Sequence, residues 1–93
     1  MSKELFYYSA PWCVPCETLG PIMEQVNRQI PVRKINIDYA DPAVITSAQV
    51  RNIPTVVLIE NGQEVRRFTG VKSFNQIIDF LNYGWILQTM GWS

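Results

Sequence analysis

Apolar residues follow two different spacings along this chain, and the changes between them predict its strands and helices. An apolar run at residues 5–8 predicts a short buried strand that is ended by Pro11. Apolar residues then recur three and four positions apart after residue 16, which predicts an amphipathic helix kinked by Pro21. The buried face of this helix is predicted to hold Leu19, Ile22, Met23, Val26 and Ile30.

A second strand and a short helix are predicted in the middle of the chain. Pro31 closes the first helix, and residues 32–38 alternate loosely between apolar and polar side chains. Asp41 and Pro42 form a favourable helix start, because Asp caps free backbone N–H groups and Pro fits the first helical turn. This helix is expected to run through Val50.

A hairpin and a final helix complete the pattern. Residues 55–59 form the clearest strand, and Asn61-Gly62 is the strongest hairpin signal in the chain, which places a return strand at residues 63–69. Ser73 is expected to cap the last helix. The apolar face of that helix is predicted to hold Phe74, Ile77, Ile78 and Leu81.

This order of elements predicts an α/β fold. A strand-helix-strand unit implies a right-handed crossover between parallel strands, and the hairpin adds antiparallel strands. The expected result is a mixed four-stranded sheet flanked by helices. Residues 1–83 form one predicted domain, and residues 84–93 form an apolar tail that we expect to pack on it, because its apolar side chains are poorly suited to water. A segment that binds a partner is the alternative for this tail.

Composition and charge favour a globular domain and exclude some partners. The chain has 93 residues, 47% of them apolar, and its eight basic residues balance its eight acidic ones. This balance removes any general attraction to nucleic acid or to an anionic membrane. The amino terminus has no apolar signal core, and the longest apolar run is too short to span a bilayer. A cytoplasmic protein is therefore expected.

The only two cysteines, Cys13 and Cys16, lie between the first strand and the first helix. A helix that begins near Cys13 would stabilise its thiolate through free N–H groups and the helix dipole, so we expect Cys13 to be the exposed attacking thiol. Cys16, one turn later, would be the more buried resolving thiol. A redox-active pair is therefore the favoured hypothesis.

Two other functions for the cysteine pair stay open. A structural disulfide across so small a loop would constrain the unfolded chain little. A zinc site needs about four ligands, and the chain has two cysteines and no histidine, so only a second copy or carboxylates would complete it.

Over residues 5–82 the chain resembles the thioredoxin family. The resemblance rests on motifs that occur in family order at nearly family spacing: residues 10–16 (Ala-Pro-Trp-Cys-Val-Pro-Cys) with Pro21, then Ile53-Pro54-Thr55, Asn61-Gly62 and Gly70. It implies the same fold, without the extra strand and helix with which full-size members begin. It also implies reduction of protein disulfides by a monomer, with no cofactor beyond a Cys13–Cys16 disulfide.

The resemblance assigns further site residues. Trp12 matches the tryptophan beside the cysteines, and Pro54 matches a proline whose preceding peptide bond is cis in the family and faces the disulfide. The backbone of Ile53 would then be free to pair with an extended substrate. Gly70 matches a glycine near the same groove, although a strand-ending turn explains it equally well. Pro15 matches the proline between the cysteines.

Three positions depart from the family pattern. Tyr7 stands where a buried acid, credited with moving the proton of the resolving thiol, is usual. Lys34 matches a lysine near that acid, although a strand lysine is commonly just solvated. Val14 replaces a glycine, which is expected to alter access to the disulfide and its redox potential. We therefore take Tyr7 and Lys34 as candidates for tuning the pKa of the thiols.

The implied partners are disulfide-containing proteins and a thioredoxin reductase or an equivalent electron donor. Two alternatives remain. Glutaredoxins are similar in size, but the chain has neither a second Gly-Gly anion-binding turn after the hairpin nor a Tyr between the cysteines. The second alternative is a non-enzymatic binding subunit that uses the fold as a scaffold.

Overall fold

The computed structural model describes residues 2–89, and their side chains up to residue 82. It contains four strands and three helices in an order that matches the α/β prediction. In chain order these are β1 (Lys3–Ser9), α1 (Val14–Val26), β2 (Val32–Asn36), α2 (Pro42–Ser47), β3 (Thr55–Glu60), β4 (Gln63–Thr69) and α3 (Phe74–Thr89).

The four strands form one mixed sheet in the order β2-β1-β3-β4. β1 and β2 are parallel, with Tyr7 opposite Lys34, while β3 is antiparallel to both β1 and β4. Because β1 and β2 run in the same direction, the segments that follow them leave the sheet at the same edge. This edge carries the residues of the cysteine motif.

Each face of the sheet has its own apolar core. On one face, Leu5 and Tyr7 of β1 and Val56 and Leu58 of β3 pack against α1 and α3. On the other face, Tyr8 of β1 and Val57 and Ile59 of β3 pack against residues of α2 and of the loops around it. The alternation of strand side chains between faces produces this division. The confirmed fold is therefore a sheet covered by helices on both sides.

Helix α1 follows the predicted apolar face and differs at its end. Leu19, Met23 and Val26 are buried, as expected. The helix is continuous through Pro21 and stops at Val26. Ile30 lies beyond it, in a turn whose Ile30 N–H donates to the Val26 carbonyl at 3.1 Å, yet it is also buried. The helical spacing therefore identified a buried residue but placed the end of the helix one turn too late.

Five of the remaining elements begin where predicted, whereas β1 begins at Lys3, two residues before the predicted residue 5. Two elements end earlier than predicted. β2 ends at Asn36 rather than at residue 38, and α2 ends at Ser47 rather than at Val50. The Asp41 side chain caps α2 through the Ala43 N–H at 2.9 Å. Beyond α2, Gln49 has a positive φ of 56°, which is incompatible with continued helix.

The turn and the last cap were both predicted from their residue types. Asn61 and Gly62 both have positive φ, 53° and 83°, as a tight hairpin turn requires. At the start of α3, the Gln76 N–H donates to Ser73 Oγ and the Ser73 N–H donates to Gln76 Oε1, which is a capping box.

The carboxyl-terminal segment continues the helix. The backbone of α3 extends to Thr89, beyond the boundary expected at residue 83. The expected packing of residues 84–93 on the domain concerns side chains outside the described residues. Within the described part of the chain, no helix combines the length and apolarity that crossing a membrane requires.

Candidate active site

The two cysteines form a disulfide at the amino-terminal end of α1. Cys13 and Cys16 are bonded, with their Cα atoms 5.2 Å apart. Cys13 is the N-cap of the helix, and its Sγ accepts the backbone N–H of Cys16 at 3.3 Å. A free N–H and the positive end of the helix dipole therefore act on this sulfur, as the sequence predicted.

The local sequence explains why the helix begins there. Pro11 lies in a turn that is closed by the Cys13 N–H donating to the Ala10 carbonyl at 3.2 Å, and proline favours this position because its φ is already fixed. Pro15 lies in the first turn of α1, where its missing N–H has no helical partner to lose. The two prolines thus define the turn and the helix start.

The predicted difference in exposure between the cysteines is wrong for the disulfide form. Cys13 and Cys16 are each only 5% exposed. Both pack with Ala10 in a small cluster that Ile37 and Ile53 cover from the side. Cys13 is buried because its sulfur is joined to Cys16 and because these apolar neighbours surround the bond.

The front face of the disulfide, which we define as Trp12, Val14 and Ile53, is apolar. Trp12 is 65% exposed and Val14 is 70% exposed, while Ile53 is partly buried against the cysteine cluster. Exposed aromatic and aliphatic side chains of this kind are typical of contact surfaces. Trp12 is therefore a surface residue and not a core aromatic.

Asp38 is a site residue that the sequence patterns did not identify. Both of its carboxylate oxygens accept from the Trp12 indole Nε1, at 3.2 and 3.1 Å. Trp12 follows β1 and Asp38 follows β2, so the parallel pairing of these strands brings the two residues to one edge. An acid just after a strand that is parallel to β1 was the feature that would have identified it.

Pro54 and Gly70 lie side by side next to this face. The Ile53–Pro54 peptide bond is cis, which confirms the expectation from the resemblance. The Gly70 N–H donates to the Pro54 carbonyl at 2.9 Å, and Gly70 has a φ of +84°, a conformation that favours glycine. Within the described residues, no hydrogen bond involves the backbone of Ile53. Its N–H and carbonyl are thus available to another chain.

The side of the disulfide towards the sheet is polar. Tyr7 is only 2% exposed, and its hydroxyl donates to the Cys16 carbonyl at 3.0 Å. Burial raises the pKa of Tyr7 above its ordinary value of 10.0, and a hydrogen bond with Ser9 offsets this in part. Tyr7 is therefore an uncharged hydrogen-bond donor at neutral pH, unlike the acid that the family has there.

The back pocket, which we define as the cavity lined by Tyr7, Ser9, Cys16, Glu17 and Lys34, opens between α1 and β2. Its volume is about 200 Å³, and Pro11 and Asn36 form part of its rim. Lys34 reaches it from β2, where it pairs with Tyr7. The two residues predicted to tune the thiols thus lie together, on the wall of a cavity that also contains Cys16.

Metal-ligating side chains are scattered rather than clustered in the described part of the chain. Among residues 2–82, no three His, Cys, Asp or Glu side chains lie close enough together to hold a metal ion. The cysteines themselves are joined to each other, so neither has a thiolate to offer a metal in this form.

Comparisons with known proteins agree with this geometry. The family model described as Thioredoxin matches residues 2–83. A thioredoxin-like protein of Synechocystis sp. is 42% identical over 80% of this chain and 73% of its own length, and a thioredoxin of Rickettsia bellii is 35% identical over 78% and 72%. The structure of a mutant thioredoxin from Halobacterium salinarum superposes with a TM-score of 0.78 at 31% identity, covering 85% of this chain and 71% of that one. The chain belongs to the thioredoxin family of disulfide oxidoreductases.

Proposed function

We propose that this protein reduces disulfide bonds in other proteins, with Cys13 as the attacking thiol and Cys16 as the resolving thiol. The observation that carries the proposal is the position of Cys13 at the N-cap of α1, where its sulfur accepts a backbone N–H. An N–H donor and the helix dipole lower the pKa of a thiol, and the thiolate is the form that attacks a disulfide.

The reaction then has two steps. The Cys13 thiolate attacks one substrate sulfur, which forms a mixed disulfide and releases the other substrate sulfur as a thiolate. Cys16 next attacks Cys13 Sγ, which forms the disulfide seen in the structure and releases the second substrate sulfur. A thioredoxin reductase or an equivalent dithiol donor returns the pair to the reduced state.

The front face is the proposed docking surface for the substrate. Trp12 and Val14 provide exposed apolar area, and the unpaired backbone of Ile53 is positioned to bond an extended substrate segment. Pro15, Pro54 and Gly70 complete the proposed groove by fixing the backbone on either side of the disulfide. The monomeric state and the cytoplasmic location stay predictions from the sequence.

Single replacements of the two cysteines test these roles. Cys13→Ser is expected to lower insulin reduction to the uncatalysed background, because no thiol is left at the N-cap. Cys16→Ser is expected to accumulate a mixed disulfide with the substrate, visible as an added mass that dithiothreitol removes. Full activity of Cys13→Ser would overturn the proposal. Activity of the double-serine protein in complementation, without dithiol activity, would favour a scaffold role.

The reduction potential of the pair tests the direction of electron flow. A value near that of thioredoxin, about −270 mV, is expected for a reductase, whereas a value near about −120 mV marks an oxidant. Val14→Gly is the matched variant, because it restores the family residue between the cysteines and leaves both thiols in place. A potential near the oxidant value in the unaltered protein would contradict the reducing direction.

A further inference from the structure

In the resolving step Cys16 gives up its thiol proton, and the residues of the back pocket are the nearest candidates to accept it. Cys16 must lose its thiol proton before its sulfur can attack Cys13 Sγ, because the thiolate is the nucleophile. Cys16 is 5% exposed, so little of it meets bulk water directly. The back pocket is a cavity among the described residues that contacts Cys16 and opens to solvent at the edge of the sheet.

Tyr7 is unsuited to accept this proton. Its hydroxyl is already donated to the Cys16 carbonyl, and burial raises the pKa of the phenol and keeps it protonated. Lys34, the positive charge on the pocket wall, is a donor in its ammonium form and has no lone pair to offer. Tyr7, as a hydrogen-bond donor, and Lys34, as a basic side chain, are therefore poor candidates for accepting the Cys16 proton.

Glu17 is an acidic residue that lines the same pocket. It follows Cys16 directly in the first turn of α1, and its side chain is exposed to solvent. A carboxylate is acceptor-only when ionised, and it can take up a proton by direct contact or through one intervening water. The pocket of about 200 Å³ has room for such a water between polar groups.

We propose that Glu17 accepts the proton of Cys16 through water in the back pocket during the resolving step. This inference rests on the proposed function. As the Cys16–Cys13 S–S bond forms, the bond from Cys13 Sγ to the substrate sulfur breaks and its electron pair leaves with the substrate as a thiolate. The Cys16 proton passes by way of water to the Glu17 carboxylate and from there to solvent. Lys34 faces the pocket from β2 and stabilises the negative charge that forms in it.

The charged and titratable groups around Cys16 are few, which makes the proposal testable by pH. Its own helix contributes Glu17, β1 contributes Tyr7 and β2 contributes Lys34. The segment before β3 contributes Ile53, which does not titrate. Glu24 lies about two turns further along α1 and lines a neighbouring cavity. Tyr7 and Lys34 also line that cavity, whereas Cys16 and Glu17 do not. Glu24→Gln is thus a control with the same change of charge on the same helix.

The test separates the two steps on one sample. Reduced protein is mixed with the aromatic disulfide DTNB, and release of thionitrobenzoate is followed by stopped flow. The first phase depends on DTNB concentration and reports attack by Cys13. The second is independent of concentration and reports resolution by Cys16. Glu17→Gln is expected to slow the second phase at pH 7 by roughly tenfold or more, somewhat below the full range of general-base catalysis.

Two further readouts distinguish proton transfer from a structural effect. Added acetate is expected to restore the second phase of Glu17→Gln in proportion to its concentration, and to leave the unaltered protein and Glu24→Gln unchanged. Glu17→Asp, which keeps the carboxylate, is expected to retain most of the rate. A second phase in Glu17→Gln that matches Glu24→Gln from neutral to alkaline pH would overturn the proposal. Loss of the first phase in the unaltered protein would instead refute the proposed function itself.

Discussion

The two sides of the Cys13–Cys16 disulfide differ in chemistry. The front face presents exposed apolar side chains, Trp12 and Val14, beside the backbone of Ile53, which makes no hydrogen bond among the described residues. The back pocket is lined by three residues with ionisable side chains, Tyr7, Lys34 and Glu17. One side is suited to contact another protein, and the other is suited to handle a proton. The Cys13–Cys16 disulfide lies between the surface suited to substrate docking and the cavity suited to proton transfer.

Helix α1 contributes residues to both sides of the disulfide. The start of α1 places Val14 on the front face and Glu17 and Cys16 on the back pocket, with Cys13 at the N-cap between the two sides. The rest of the helix is anchored by Leu19, Met23 and Val26 in the core beneath. Any change in the position of α1 therefore affects both sides together, whereas a substitution on one side is expected to leave the other intact.

The largest expected effect is on the free energy of unfolding, from replacing a buried residue of α1 that positions both sides of the disulfide. Leu19 is fully buried in the core between α1, α3 and the sheet. Leu19→Ala is expected to lower the free energy of unfolding by about 2–5 kcal/mol, because it removes buried methyl groups and leaves a cavity. Urea denaturation measures this loss. Both phases of the DTNB reaction are expected to slow in the same variant.

The control for this variant is its exposed neighbour, Thr18. Thr18→Ala is expected to change the free energy of unfolding by less than about 0.5 kcal/mol, because it removes no buried contact. If Leu19→Ala were no more destabilising than Thr18→Ala, packing of Leu19 in the core would not stabilise α1. The proposal that this packing positions both sides of the disulfide would then be wrong.

A smaller effect is expected from the front face alone. Trp12→Ala is expected to lower kcat/KM for a protein disulfide roughly tenfold, since a large exposed aromatic side chain is lost from the docking surface. Its rate with the small disulfide DTNB, by contrast, is expected to stay nearly unchanged. Asp38→Ala is expected to show part of the same loss, because the indole N–H loses its acceptor.

Tyr39→Ala is the matched control for the front face. Tyr39 is 87% exposed and follows Asp38 directly, but it is not part of the cysteine cluster. Its replacement is expected to leave both substrates unaffected. Equal losses for Trp12→Ala with protein and with DTNB would show that Trp12 acts on the thiols rather than on the docking of substrates.

The smallest effect is expected from the buried phenol of the back pocket. Tyr7→Phe removes the hydrogen bond to the Cys16 carbonyl and keeps the aromatic ring in the core. We expect the free energy of unfolding to fall by about 1 kcal/mol at neutral pH. Insulin reduction is expected to persist, since the phenol is not the proton acceptor. Loss of resolution in Tyr7→Phe to the extent seen in Glu17→Gln would contradict that division of roles.

The dependence of stability on pH provides a second test of Tyr7. Its pKa in the folded protein is raised above 10.0, so the unfolded chain loses its phenolic proton first. Stability from this group is therefore complete below about pH 10 and is lost as pH rises through the folded pKa. Tyr8 contributes in the same direction, because burial also raises its pKa. Tyr7→Phe is expected to make the alkaline decline shallower, and an unchanged decline would contradict the assignment.

Much of the fold followed from local features of the sequence. Most strand and helix starts, the Asn61-Gly62 turn and the Ser73 cap were predicted, because caps, turns and spacing act between residues close in the chain. The exception is β1, which begins two residues before its predicted start. The helix ends were predicted less well. Ile30 continued the helical spacing although the helix had ended, because a turn after Val26 also directs it into the core.

The candidate site divides in the same way. Cys13 and Cys16 were identified from their residue type and spacing, and Trp12 and Pro54 from short motifs that resemble those of the thioredoxin family. Asp38, in contrast, lies 26 residues from Trp12 and meets it only because β1 and β2 are parallel. The burial of Cys13 was also unexpected, because Ile37 and Ile53, which cover it, come from two other segments.

The sequence by itself determined the reactive pair, the helix that polarises Cys13 and the order of strands and helices, since each depends on neighbours within a turn or a strand. Only the tertiary structure decided what lies on the far side of Cys16. Tyr7, Glu17 and Lys34 come from three different elements, and the pairing of β1 with β2 beneath α1 brings them to one cavity. Such a meeting depends on long-range packing, which no local pattern of residues encodes.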